Sequence, residues 1–275
     1  MERKIKRIVE GKPAVDGAGV HLNRVLGINT LKDFDPFLML DSFDSTNPND
    51  YIKGFPWHPH RGIETVTYLV SGSMEHEDSL GNKGTIKPHQ SQWMSAGSGI
   101  MHQEMPQASD RMLGFQLWIN MAADKKMDPP AYNDLSSDNY IKTIVCDDCV
   151  VNLISGQYEG ESAFSPSFVK ATILDIDLKA NKEFIYEINK YETAFVFLIE
   201  GEALIDNQDI KEKSAVLLEG GDVIKVKTKD KPLRFALLHA LPLNETVAWG
   251  GPIVMNYKEE LDLAFEQLDK GTFIK

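Results

Sequence analysis

Two short patterns hold the residues best suited to chemistry. His58-Pro-His60 places two imidazoles two residues apart, and His102-Gln-Glu104 repeats that spacing with an imidazole and a carboxylate. On a strand, side chains at i and i+2 point to one face, so each pair can reach a single ion. Two such pairs on neighbouring strands would offer three nitrogens and one oxygen to one divalent transition metal. Gly97 and Gly99 permit the tight turn that leads into the second pair. A hydrogen-bonded core network of the same four side chains is the alternative reading.

An ion that prefers six ligands and receives four from protein keeps two positions for water, dioxygen or a chelating substrate. Imidazole with carboxylate suits iron(II), nickel, manganese, cobalt or zinc, and affinity order alone does not choose among them. Thiolates are missing from the set, which argues against a closed structural zinc site. The two cysteines, Cys146 and Cys149, form a lone C-x-x-C beside Asp147 and Asp148, whose charge disfavours a thiolate. That pair reads as incidental. His21, His89 and His239 have no partner pattern and read as surface or core residues, and His76 reads as a strand-edge histidine or a cavity residue.

The elements that must position these groups are strands. Glu64–Val70, Gln116–Asn120, Phe195–Ile199, Ala215–Leu218, Val223–Lys227 and Arg234–His239 are short, mostly β-branched or aromatic, and bounded by turn residues such as Gly81-Asn82 and Gly220-Gly221. Repeated strands without intervening helices predict sandwiches or barrels. The exception is Tyr257–Asp269, where Leu261, Ala264, Phe265 and Leu268 recur at helical spacing before Gly271. The polar stretch from Ala122 to Asn139, with Pro129-Pro130 and Ser136-Ser137, reads as a linker between two domains, 1–135 and 136–275.

The halves resemble one another. The segment from His60 to Gly72 aligns without gaps on Asn189 to Gly201, and Met94 to His102 aligns on Leu217 to Lys225, at offsets of 129 and 123. Asn189 and Lys225 then stand where His60 and His102 stand in the first half. An ammonium cannot ligate a cation, so the second half is expected to be metal-free.

Composition narrows the function classes. The chain has 275 residues, with 41 acidic against 29 basic side chains and a net charge of −12. Such a surface repels phosphate backbones, which argues against nucleic-acid binding. The basic group Arg3-Lys4-Lys6-Arg7 reads as a solvated tail. No apolar run approaches the ~20 residues that span a bilayer, and the N-terminus lacks a signal-peptide apolar stretch. A cytoplasmic monomer without membrane attachment is expected.

Longer motifs carry a family resemblance. Gly54-Phe-Pro-Trp-His58-Pro-His60-Arg-Gly-Ile-Glu64 and Gln92-Trp-Met-Ser-Ala-Gly-Ser-Gly-Ile-Met-His102-Gln-Glu104-Met-Pro106 closely resemble the pirin family of the cupin superfamily. So do Phe34-Asp-Pro-Phe37, Leu40-Asp-Ser-Phe43, Gln116-Leu-Trp-Ile-Asn120 and Gly251-Pro-Ile-Val-Met-Asn256. The resemblance implies an all-β fold of two tandem cupin (jelly-roll) β-barrels with a short C-terminal helix. It implies one iron(II) in the first barrel, held by His58, His60, His102 and Glu104. Glu64, the acid that commonly ligates in other cupins, becomes a partner of the ligands or a core acid.

The same resemblance implies a quercetin 2,3-dioxygenase-like activity. A flavonol 3-hydroxyl would lose its proton to Glu104, and dioxygen would add across the 2,3 bond, releasing carbon monoxide and a depside. Phe55 and Gln116 become cavity walls. The alternative implied by the family is non-enzymatic: an iron- and redox-responsive regulator that binds a protein partner.

Overall fold

A computed structural model describes residues 1–136 and 138–274; Ser137, in the expected linker, and Lys275 lie outside the described residues. The chain is mostly strand, with one long helix, Lys258–Asp269, near its end. It divides into two compact units. The histidine unit gathers Pro13–Arg24, Phe37–Leu135 and Leu243–Lys275, and the second unit gathers Met1–Lys12, Val25–Pro36 and Ser136–Pro242. Both are discontinuous in sequence, unlike the contiguous halves 1–135 and 136–275 expected above.

Each unit pairs a seven-stranded sheet with a four-stranded one. In the histidine unit the large sheet runs Ala131–Leu135, Ser91–Ser95, Ile63–Ser71, Met112–Asn120, Phe37–Ser45, Val20–Leu26, Lys12–Asp16. The small sheet runs Phe55–His60, Ile100–Gln107, Ser73–Asp78, Lys83–Ile86. Leu69, Phe43 and Met112 of the large sheet share one apolar core with Met74 and Ile86 of the small sheet. In the second unit Val151, Leu174, Val196 and Leu237 meet Phe184, Ile224 and Val226 in the same way. Removing one large apolar side chain from water stabilises by about 1.5–3 kcal/mol, and these inward rows close the two sheets on one another.

All six strands expected from residue patterning fall within observed strands. Two expectations are corrected. The basic N-terminus is no solvated tail: Lys4–Glu10 pairs antiparallel with Ser214–Glu219 and covers the edge of the second unit's large sheet. Arg3 is buried there and donates to the carbonyls of Asn189, Glu192, Leu218 and Gly221, four acceptors that satisfy its guanidinium. The expected linker also contains a strand, because Ala131–Leu135 pairs with Ser91–Ser95 and covers the matching edge of the histidine unit. Pro129-Pro130 end just before it, so no proline breaks the ladder.

The C-terminal helix starts where Glu260 accepts the backbone N–H groups of Asn256 and Tyr257. Ala264, Leu261 and Leu268 pack it against Ile253, Met255 and Phe273. This segment matters because it reaches the histidine pair.

Candidate metal centre

The strand Ile100–Gln107 alternates buried and half-buried residues, and its buried parity includes His102 and Glu104. It pairs antiparallel with Phe55–His60, which sets His102 opposite His58 and Ile100 opposite His60. The predicted neighbouring-strand arrangement is therefore present. Ligand atoms of His58, His60 and His102 all lie within 4.8 Å of one another. Their ring centroids are 4.3 to 5.0 Å apart.

Hydrogen bonding selects the nitrogens that face inward. His58 Nδ1 lies 2.9 Å from the Pro56 carbonyl and His60 Nδ1 lies 2.9 Å from the Pro252 carbonyl. A carbonyl only accepts, so each Nδ1 carries the proton and each Nε2 keeps its lone pair. Those two Nε2 atoms are 3.1 Å apart. Two lone pairs aimed at each other repel unless a cation lies beside them. Among the described residues, both His102 ring nitrogens are buried without a protein partner, a state costing about 1–3 kcal/mol per buried polar group. Converging bare nitrogens fit a transition-metal ion.

Burial also keeps the His60 and His102 rings neutral. It lowers the His60 pKa to about 3, helped by the charge of His58 and opposed by the Pro252 carbonyl. His102 is pushed well below its ordinary value, first by burial and then by His60, His58 and His76. Neutral imidazole is the ligating form.

Glu104 is buried but stands outside the three-histidine set. Its Oε1 accepts from Thr67 Oγ1 at 2.7 Å, and its Oε2 accepts from Gln116 Nε2 at 2.7 Å. Each oxygen retains another lone-pair direction. Gln116 thus holds the carboxylate rather than serving only as a wall. Phe55 pairs in register with Glu104, and its ring meets Phe43 at 6.2 Å. Across the large sheet, Gln92, Thr67, Gln116 and Asp41 stand opposite one another, and Arg24 pairs with Asp41 at 2.9 and 2.7 Å. A polar row in an otherwise apolar interior suits an oxygenated small molecule. The edge of Trp118 meets His60 at 5.0 Å between ring centroids.

Other predicted residues fall elsewhere. Glu64 accepts from Trp93 Nε1 at 3.0 Å and Ser95 Oγ at 2.7 Å, which makes it a core acid. His76 is buried beside Tyr132, whose hydroxyl lies 2.6 Å from Nε2. Burial pushes the Cys149 thiol up to about 12, assisted by its hydrogen bond with Cys146, so Cys149 is not a reactive thiolate. The gap-free repeat slips by one residue at Lys225. Ile224 and Val226 face the core, while Lys225 points out and pairs with Glu183 at 3.5 Å.

Three residues went unrecognised. Arg61, between the two motifs, donates to Ser98 O at 2.6 Å, Gln267 Oε1 at 2.7 Å and Phe273 O at 3.0 Å, and its guanidinium lies 4.1 Å from the Phe273 ring centroid. Lys126 Nζ donates to Gly62 O, Asn120 Oδ1 and Val254 O at 2.7, 2.5 and 3.0 Å. Pro252 supplies the carbonyl that sets the His60 tautomer. Gly62, at φ +75°, leaves no room for a side chain, since a Cβ would sit 2.0 Å from Val254 O. Their signal in the sequence was position: Arg61 and Gly62 follow the ligand pair directly.

Comparisons with known proteins match both halves of the chain. Residues 19–119 match the Pirin family model, and residues 173–274 match the Pirin C-terminal cupin domain. A pirin-like protein of Caulobacter vibrioides is 40% identical over 98% of this chain and 99% of its own. Human pirin is 38% identical over 95% of this chain and 91% of its own. A solved quercetin 2,3-dioxygenase structure from Acinetobacter baumannii superposes with a TM-score of 0.90 at 28% identity, covering 99% of each chain. Motifs, strand order and matches to both halves converge on one conclusion: the chain belongs to the pirin family.

Proposed function

We propose that this protein is a metal-dependent dioxygenase that cleaves a flavonol such as quercetin at its 2,3 bond, with His58, His60, His102 and Glu104 holding one iron(II) ion. The observation that carries the proposal is the three-histidine cluster formed across two paired strands, one of which also bears a buried, hydrogen-bonded carboxylate. The fold likeness to a quercetin 2,3-dioxygenase supports the substrate class. We read each unit as one cupin barrel, with only the first loaded, in a cytoplasmic monomer.

Iron(II) held there would supply Lewis acidity and a one-electron contact for dioxygen. The protein's part is positioning and proton transfer. His58 and His60 present fixed Nε2 lone pairs because backbone carbonyls bind their Nδ1–H groups. Glu104 accepts the proton of the flavonol 3-hydroxyl on an oxygen lone pair left free by Thr67 and Gln116. Gln92 and Asp41 extend the polar row toward the substrate's oxygens, and Phe55 offers an aromatic wall.

Oxygen uptake by anaerobically purified, iron(II)-loaded protein given quercetin tests this reading. Uptake is expected from the wild type, with a drop of about 100-fold or more in Glu104→Gln, as for loss of a general base. Equal, negligible turnover by both proteins sinks the proposal. One observation favours the regulatory reading instead: Trp57, next to His58, is 46% exposed. An affinity pull-down in both iron oxidation states would then recover a partner through Trp57, and recovery of none in either state counts against it.

A further inference from the structure

We infer that the second unit carries a binding site of its own, for a small hydroxycarboxylate. It contains a partly open cavity of about 300 Å³ whose polar lining is Gln157, Ser165, Lys170, Thr172, Tyr186 and His239. All of these residues belong to the second unit, so the cavity is separate from the three-histidine centre.

On one wall stands a carboxylate–imidazole–phenol chain. Glu192 Oε2 lies 2.7 Å from His239 Nδ1, and His239 Nε2 lies 2.8 Å from the Tyr186 hydroxyl. An ionised carboxylate only accepts, so Nδ1 carries the proton and Nε2 accepts from the phenol. His239 is 7% exposed and Tyr186 is 9% exposed, enough to hold the chain rigid while leaving it at the cavity surface. Burial, with the Glu192 charge second, pushes the phenol up to about 12, so it stays protonated and keeps donating to His239. Its oxygen lone pairs remain to accept a ligand O–H. The relay has no counterpart at the matching strand position of the histidine unit: in strand register His239 lies opposite Ala194, and the gap-free repeat sets Trp118 there, opposite Thr65.

The other wall supplies charge. Lys170 donates to the Pro166 carbonyl and, at 3.3 Å, to Ser165 Oγ. Both acceptors are neutral, and among the described residues Lys170 has no carboxylate partner. Lys170 is exposed at the cavity mouth and is a cation there with no carboxylate already bound to it, so an anionic group entering the cavity can take it as a partner. Carboxylate to Lys170 and hydroxyl to Tyr186 use the two features together, with Pro166 and Ala171 as apolar lining. This assignment does not depend on the dioxygenase reading.

Calorimetric titration of the full, metal-loaded chain with 3-hydroxybenzoate tests it, with benzoate as the probe that lacks the hydroxyl. The expected result is saturable binding of 3-hydroxybenzoate by the wild type, weakened about tenfold or more by Lys170→Met, the scale of one lost charge-assisted hydrogen bond. Tyr186→Phe should weaken 3-hydroxybenzoate and leave benzoate unchanged, a difference that a folding defect would not produce. His102→Ala should change neither. Absence of saturable binding overturns the proposal. So does binding lost in His102→Ala and kept in Lys170→Met, which would place the ligand at the metal centre.

Discussion

At the scale of single residues, the centre is made by what binds the far side of each ring. Pro56 and Pro252 carbonyls take the Nδ1–H groups of His58 and His60, and that choice leaves two Nε2 lone pairs converging at 3.1 Å. His102 adds ring nitrogens with no hydrogen-bond partner among the described residues. Glu104 is governed the same way, by Thr67 and Gln116 on its two oxygens. Removing one of those donors should disturb the carboxylate more than the metal. Gln116→Leu is therefore expected to lower flavonol turnover by about 10- to 100-fold while metal content stays at the wild-type level. Oxygen-uptake rates set beside elemental analysis of the same samples check this. Full turnover in Gln116→Leu would show that Glu104 needs no such support.

At the scale of elements, two strands present the ligands and the C-terminal segment holds them in place. Pairing of Phe55–His60 with Ile100–Gln107 sets the ligands face to face, and clamps from farther along the chain hold that pair. Arg61 ties the first motif to Gln267 and Phe273, and Lys126 ties Gly62 to Val254. Arg61→Ala should destabilise the protein by about 3 kcal/mol, because buried carbonyls lose their donor. It should also weaken metal binding by about tenfold through the displaced Pro252 carbonyl. Urea unfolding and competitive chelation measure the two effects; a stability loss with unchanged metal affinity would make Arg61 a purely architectural residue.

Lys126 gives the element scale a pH signature. Burial pushes its pKa from 10.5 down to about 7, against the pull of Glu245 and Glu260. Between those values the unfolded chain holds a proton that the folded chain has released. Stability from this group therefore rises with pH across the window and is lost as pH falls through about 7. Lys126→Met should flatten that part of the stability–pH curve, measured by urea midpoints from pH 6 to 10. An unchanged slope would show that its three oxygen partners hold the ammonium throughout.

At the scale of the whole molecule, two units share one sheet plan and differ in what fills it. The interior row of the histidine unit is Gln92, Thr67, Gln116 and Asp41, whereas Val216, Val196 and Leu237 hold the matching row of the second. The ligand pairs were legible in sequence because strand periodicity is local: His58 with His60 and His102 with Glu104 need only two-residue spacing. The six strands and the terminal helix were legible for the same reason. What escaped the sequence is non-local. Nothing near Arg3 announces carbonyls at Asn189 and Gly221, and nothing near His60 announces Pro252. The slip at Lys225 escaped because one residue of register inverts a strand's faces without changing its composition.

The central proposal is that one metal ion sits on His58, His60, His102 and Glu104 and nowhere in the second unit. Elemental analysis of iron(II)-loaded protein tests it most directly. The account predicts one metal per chain in the wild type and in Lys225→Ala, and loss of the metal in His102→Ala. Metal retained at full stoichiometry in His102→Ala would contradict it.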